Sequence, residues 1–191
     1  MPRSYFSRAL LAAALSLPTA AFAAAPAALT AWEQQHVDGM LALDPAQPYQ
    51  NPDLGFALGA LPGPAYQGNS NDDGLLVLLG DQRTINLVAG YSTDDSDTRE
   101  AMTTRLGYTA HGDDAQREPA QWAGKPAEQA QWRDGSDLAV LMVQYRPDGD
   151  DTGVVYSAEL HTTPDHQQED IAAFRQVLQG FRWLAMPSSG G

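Results

Sequence analysis

AEQAQWRDGSDLAVLMVQY, residues Ala127 to Tyr145, is the stretch whose reading decides the fold. Two strand-like runs, Ala127 to Arg133 and Asp137 to Tyr145, flank Asp134-Gly135, a strong hairpin-turn dipeptide. The pair reads as two antiparallel strands. Val154 to His161 is the next strand, reached through the polar turn Arg146 to Gly153. Upstream, Leu75 to Leu79 is a continuous apolar run. Thr84 to Ala89 resumes after Gly80-Asp81-Gln82-Arg83, which predicts a second hairpin.

Helical signals lie between and around these strands. Asp97 and Glu100 fit a capping box opening a short helix, Thr98 to Leu106, with Gly107 as a left-handed stop. Thr163 as cap and Pro164 at the first position predict a closing helix. Its apolar face holds Ile171, Phe174, Val177, Leu178 and Phe181, and such a helix must lie on a sheet to be stable. Near the start, Leu29, Trp32, His36, Met40 and Leu43 recur at three- or four-residue spacing, predicting a helix over Leu29 to Leu43 that Asp44-Pro45 ends. Prolines 45, 48 and 52 then make a loop before a short apolar piece, Leu54 to Leu61. No strand-helix-strand alternation supports a parallel nucleotide-binding sheet. The pattern implies an α+β fold: a curved antiparallel sheet of about five to seven strands with helices packed on one face.

The extreme N-terminus carries an address. Arg3 and Arg8 lie in a short basic stretch, Ala9 to Leu17 is unbroken apolar sequence, Pro18 ends it, and Ala21-Phe22-Ala23 offers small residues where signal peptidase needs them. This is the layout of a secretory signal peptide cleaved after Ala23. The run is too short to span a bilayer, which takes about 20 apolar residues. The reading divides the chain into a signal peptide (1–23), a small-residue spacer (24–28), one α+β domain (29–185) and a frayed tail (186–191). No membrane span is expected after cleavage. The product is expected to be periplasmic or secreted. Lysine is nearly absent, Lys125 alone, and alanine, glycine and arginine abound, which suits a GC-rich bacterial genome.

Composition removes several classes of function. The chain contains no cysteine, so a lipid-anchoring cysteine, disulfides, thiolate metal sites and a cysteine nucleophile are all excluded. Its formal net charge is -13, and loss of the signal peptide would remove two arginines and no acid. Such a charge repels polyphosphates and anionic lipid, which argues against nucleic-acid binding. It favours solubility and attraction to a basic partner.

Several motifs bear on chemistry. Asp148, Asp150 and Thr152 hold the first, third and fifth positions of a calcium loop, Gly153 the turn and Glu159 the twelfth position. The flanking pattern is β rather than helical, which favours a solvated hairpin turn. A calcium-stabilised module over residues 148–159 remains as an alternative. Gly90-Tyr91-Ser92 follows a strand and precedes a helix as a nucleophile elbow does, but Asp94 stands where the second glycine belongs. A serine hydrolase using Ser92 is a second alternative. His111, His161 and His166 are the downstream histidines. His161 and His166 are five apart across a turn and no H-E-x-x-H is present, so zinc ligation is not expected. His36 reads as a core-edge histidine. The acid pairs Asp72-Asp73, Asp94-Asp95, Asp113-Asp114 and Asp150-Asp151 read as solvated loop tips rather than glycosidase carboxylates. Trp32, Trp122, Trp132 and Trp183 suit a core as well as a sugar site. No residue is assigned as catalytic, cofactor-binding or metal-ligating, and no cofactor is expected.

The order of elements from Gly124-Lys125-Pro126-Ala127 through Trp132, the hairpin, Val155-Tyr156 and Phe174…Val177-Leu178…Phe181-Arg182-Trp183 resembles PsbP-like and DcrB-like bacterial domains, over roughly residues 74–184. The resemblance implies an α+β sandwich with no catalytic residues to carry over. It also implies an accessory or adaptor role bound to other proteins. The sequence therefore leads to an exported, non-enzymatic binding domain of the cell envelope with a protein partner. An immunity-type inhibitor of a basic secreted toxin is the alternative of the same class.

Overall fold

The computed structural model describes residues 28–68, 73–148 and 152–186. The expected signal peptide, its cleavage point at Ala23, and residues 187–191 of the expected tail lie outside the described residues. Among the described residues the chain forms an antiparallel sheet of eight strands and a second sheet of three. The α+β class and the antiparallel sheet are those the pattern implies. The strand count is higher than expected, because short edge pieces also pair.

The large sheet runs β1 (Leu41–Leu43), β4 (Ala65–Gln67), β5 (Asp73–Gly80), β6 (Arg83–Ser92), β10 (Gly153–Thr162), β9 (Asp137–Pro147), β8 (Lys125–Asp134) and β7 (Gln116–Trp122). The small sheet runs β11 (Arg182–Trp183), β3 (Phe56–Leu58) and β2 (Tyr49–Asn51). Strand β9 is apolar on both sides, and alternation sends its residues into two cores. Leu138, Val140 and Met142 join a cluster with Leu75, Ile85, Tyr156 and Leu160, closed by Phe174 and Val177 of α3 (Gln167–Gly180). Ala139, Leu141 and Val143 join Ala130, Trp132 and Val155 against Ala101, Met102 and Leu106 of α2 (Thr98–Gly107). The helix α3 and the small sheet thus form the expected layer over the main core, and α2 fills the reverse face where β8 and β9 are also apolar. Each large apolar side chain so buried contributes about 1.5–3 kcal/mol.

Two hairpins turn where glycine or a left-handed pair allows. Asp81 (φ 49°) and Gln82 (φ 66°) join β5 to β6. In the β8–β9 hairpin, Asp134 pairs with Asp137, so the two loop residues are Gly135 (φ 62°) and Ser136. The expected turn dipeptide, Asp134-Gly135, is displaced by one residue: positive φ falls on the first loop position, where glycine has no steric cost.

Three sequence expectations are corrected. The helix expected over Leu29 to Leu43 is only Ala31–Val37 (α1), capped by Thr30 and Glu33. Asp38 leaves the helix, Gly39 takes φ 75°, and Leu41–Leu43 pair with Ala65–Gln67 as an edge strand. Met40 and Leu43 matched the helical spacing by coincidence. Gly107 is not a left-handed stop: Tyr108 caps α2 at φ -87°, its N–H reaching Arg105 and Leu106 carbonyls. The polar segment before Gly124, which carried no clear periodicity, supplies edge strand β7. The closing helix starts at Gln167, because Thr163-Pro164 form a turn in which His166 N–H bonds Thr163 O at 3.2 Å. It ends at Gly180, where Gly59 N–H bonds Gly180 O at 3.0 Å. A Cβ on Gly180 would stand 3.2 Å from Gly59 N, so the two backbones meet directly. The chain then crosses onto β3. Phe181 stacks on Phe56 at 5.5 Å and meets Trp122 and Trp183 at 4.7 Å each, which makes it the hub joining the two sheets. Tyr156 lies edge-on to Phe181 and donates its hydroxyl to Leu54 O. Burial pushes its pKa up to about 12.

A buried ion pair fastens α3 to the sheet. Asp170, 2% exposed, accepts from Arg83 Nη1 at 2.8 Å and from Thr162 Oγ1 at 2.5 Å. Arg83 spends its other donors on Gly80 O and Leu79 O, closing the β5–β6 turn.

Candidate functional site

The ladder β6–β10–β9–β8 has two ends, and the ionisable groups divide between them. At one end the β5–β6 turn, the β8–β9 turn, the last residues of β10 and α1 surround a furrow of about 650 Å³. Asp81 comes from the first turn, Asp134 and Asp137 from the second, His161 from β10, and Trp32 and His36 from α1. Leu76, Thr84 and Asn86 form its floor. The hairpin geometry that places acids at strand ends, where their carboxylates stay hydrated, builds a concave acidic surface.

Within it, His161 Nε2 lies 3.0 Å from Glu159 Oε1, one pleat along the same strand face. That hydrogen bond raises the imidazole pKa above 6.5, against a smaller opposing effect of burial, with the charges of Glu159 and Asp134 adding to the rise. His111 Nε2 lies 3.6 Å from Asp134 Oδ1. Trp32 and His36, one helical turn apart, stack at 3.8 Å, and His36 Nδ1 meets Trp32 O at 2.8 Å. His36 is therefore exposed on the furrow wall, not at a core edge. Arg83 also lines the furrow, but its guanidinium is committed to Asp170 and to carbonyls. Among the described residues no three His, Asp or Glu side chains stand as a metal-binding group. The furrow presents carboxylates and a stacked aromatic pair over Leu76, Thr84 and Asn86. Its chemistry suits the docking of cationic side chains.

The other sequence candidates fall elsewhere. Ser92 donates to Asp95 Oδ2 at 2.8 Å, and Asp95, 8% exposed, also accepts from Thr104 Oγ1 at 2.7 Å. This network ties the end of β6 to α2 and leaves Ser92 without a histidine partner. Ser92 pairs with Gly153 while Thr84 pairs with His161, so serine and histidine stand at opposite ends of the ladder, about 26 Å apart for eight residues at strand rise. That distance rules out His161 as the base for Ser92. Asp95 also corrects the expectation that its acid pair is a solvated loop tip; Asp94, Asp113 and Asp114 are exposed as expected. Of the calcium candidates, Asp150 lies outside the described residues. Asp148 and Thr152 face each other across the β9–β10 turn, Asp148 N–H bonding Thr152 O at 2.9 Å and Thr152 Oγ1 bonding Asp148 O. Glu159 sits mid-strand, opposite Asn86 and Leu141, and pairs with His161. Held there, it is not placed as the twelfth ligand of a 148–159 loop. His166 pairs with Glu169 at 3.7 Å. The tryptophans do not converge: Trp122 and Trp183 belong to the Phe181 cluster, Trp132 to the α2 core and Trp32 to the furrow. Sequence reasoning missed the furrow. Its acids are single turn residues, whereas the sequence drew attention to adjacent pairs.

The topology is that of an α+β domain whose fold is similar to that of PsbP, an antiparallel sheet closed by a C-terminal helix. The chain is similar to the cyanobacterial PsbP (CyanoP) of Synechocystis sp. PCC 6803, with TM-score 0.51 and 13% identity, covering 72% of this chain and 91% of that one. It is also similar to LpqN of Mycobacterium tuberculosis, described as involved in cell envelope biogenesis, with TM-score 0.47 and 14% identity, covering 82% of this chain and 98% of that one. No family model matches the chain, and no curated relative matches it. At these identities the likeness is one of fold. Among the described residues no helix is long and apolar enough to cross a membrane.

Proposed function

We propose that this protein is an exported, non-enzymatic binding domain of the bacterial envelope, periplasmic or secreted, that docks a basic protein partner in the acidic furrow. The observation that carries the reading is the convergence of Asp81, Asp134 and Asp137 on one concave surface with the Trp32–His36 pair. Two sequence features support it: the signal-peptide layout of Met1 to Ala23 and the net charge of -13. Carboxylates at a furrow rim steer a cationic partner and set register, and the field of the whole chain raises the encounter rate. The same chemistry serves an accessory domain bound to an envelope protein and an inhibitor bound to a basic toxin.

The test is affinity capture from envelope and secreted fractions with wild type and with Asp81→Asn/Asp134→Asn/Asp137→Asn. A basic protein is expected on the wild type at low ionic strength. It should be lost at about 0.5 M salt, where screening shortens electrostatic reach to a few ångströms, and lost on the triple variant. Equal capture by both proteins overturns the reading. If the captured protein loses a toxic activity on binding, the immunity-type role is selected.

A further inference from the structure

The opposite end of the β8–β9 ladder holds a second site of opposite charge. A cavity of about 320 Å³ is lined by Thr98, Lys125, Gln144, Tyr145, Arg146 and Trp183, with Pro126 and Pro147 at its rim. Lys125 is the only lysine of the chain. Among the described residues neither Lys125 nor Arg146 has a carboxylate within ion-pair distance. Lys125 and Arg146 thus bring two cations to one cavity. Arg146 is held rigidly: Nη1 donates to Gly55 O at 3.2 Å and Leu184 O at 3.1 Å, and the guanidinium lies over the Trp183 ring at 5.5 Å. Trp183 is fixed in turn by its Nε1 bond to Ala123 O at 3.2 Å.

A second observation is independent of charge. Gln144 is 4% exposed, lines this cavity, and its Oε1 has no hydrogen-bond partner. An orphaned buried carbonyl costs about 1–3 kcal/mol. Leucine or methionine at 144, flanked by Val143 and Met142, would avoid that cost, so the amide has a use other than packing.

We infer that this cavity binds a small hydroxycarboxylate of monosaccharide size: the carboxylate between Lys125 and Arg146, a neutral hydroxyl donating to Gln144 Oε1, and the carbon skeleton against Trp183. The donor must be neutral, because an ammonium would be repelled by the two cations. The volume lies at the lower end for ligand sites, which fits one sugar ring and not an extended chain. The site lies apart from the acidic furrow and stands or falls independently of partner docking.

The experiment is NMR and calorimetric titration of the full mature chain with glucuronate, with glucose and inorganic phosphate as comparison probes. Glucuronate is expected to bind and to shift the Trp183 indole N–H and the Gln144 side-chain amide, with glucose and phosphate each at least tenfold weaker. Lys125→Met, an exposed position whose change leaves the fold intact, should weaken glucuronate at least tenfold. Gln144→Met should raise the melting temperature and at the same time weaken glucuronate at least tenfold; a purely structural Gln144 would give the first effect without the second. Absence of shifts at these two side chains, phosphate binding as well as glucuronate, or unchanged affinity in Lys125→Met overturns the inference.

Discussion

Replacing Asp170 with alanine removes the carboxylate that neutralises Arg83 in the interior, where the two are 2% and 7% exposed. The change strands a guanidinium between α3 and the β5–β6 turn and takes away the acceptor of Thr162 Oγ1. Breaking a buried pair by deleting one partner costs about 3–5 kcal/mol, mostly through the uncompensated charge left behind. For a domain of this size that corresponds to a fall in Tm of roughly 6–20 °C. Arg83 keeps its bonds to Gly80 O and Leu79 O, so the turn itself should survive and the loss should appear as weaker anchoring of α3. Removing both charges tests the cause. Arg83→Met/Asp170→Leu fills the space without charge and should recover most of the loss, returning to within about 1–2 kcal/mol of wild type. Urea unfolding followed by tryptophan fluorescence measures Asp170→Ala and the four corners of the cycle, wild type, Arg83→Met, Asp170→Leu and the double variant. A loss under about 1 kcal/mol for Asp170→Ala, or a double variant no better than the sum of the singles, would refute the reasoning.

Other expectations follow from the same geometry. His161 should titrate above 6.5 by NMR, and Glu159→Gln should lower its pKa by removing the hydrogen bond and charge that raise it. Because the folded pKa is raised, the pair stabilises the fold fully below the unfolded pKa and loses that contribution as pH rises through the folded value; the variant should flatten this part of the stability profile. Gly63→Ala places a Cβ 2.4 Å from Leu78 O and should destabilise by several kcal/mol in a melt, since backbone must shift to admit it. Ser92→Ala should cost about 1 kcal/mol through the lost bond to buried Asp95, and labelling by a fluorophosphonate probe should be absent in wild type and variant alike. Millimolar calcium should leave the melting temperature unchanged, because Glu159 is held in β10 beside His161.

What was legible in the sequence was periodicity. Leu138 to Val143 and Val154 to Leu160 announced central strands, and Phe174 and Val177 announced the closing helix, because burial enforces those spacings. Boundaries were less legible. Gly39 and Gly180 end helices for tertiary reasons: the first lets Leu41–Leu43 reach an edge strand, the second lets the backbone meet Gly59. Strand β7 reads as polar because an edge strand with a solvent face needs few apolar residues. The PsbP-like arrangement was visible through the order of elements between Lys125 and Trp183. The furrow and the cavity were not, since each is assembled from residues far apart in sequence: Trp32 meets Asp137 and His161, and Lys125 meets Arg146 and Trp183. No local pattern encodes such meetings.

The claim that this domain works through its acidic furrow is tested most directly by site-specific photo-crosslinking in the source cells, with the probe placed at position 137 in one variant and at position 121 on the far end of the sheet in another. The account predicts a salt-sensitive adduct with a basic protein from position 137 and none from position 121. A partner captured from position 121 and not from position 137 would contradict it.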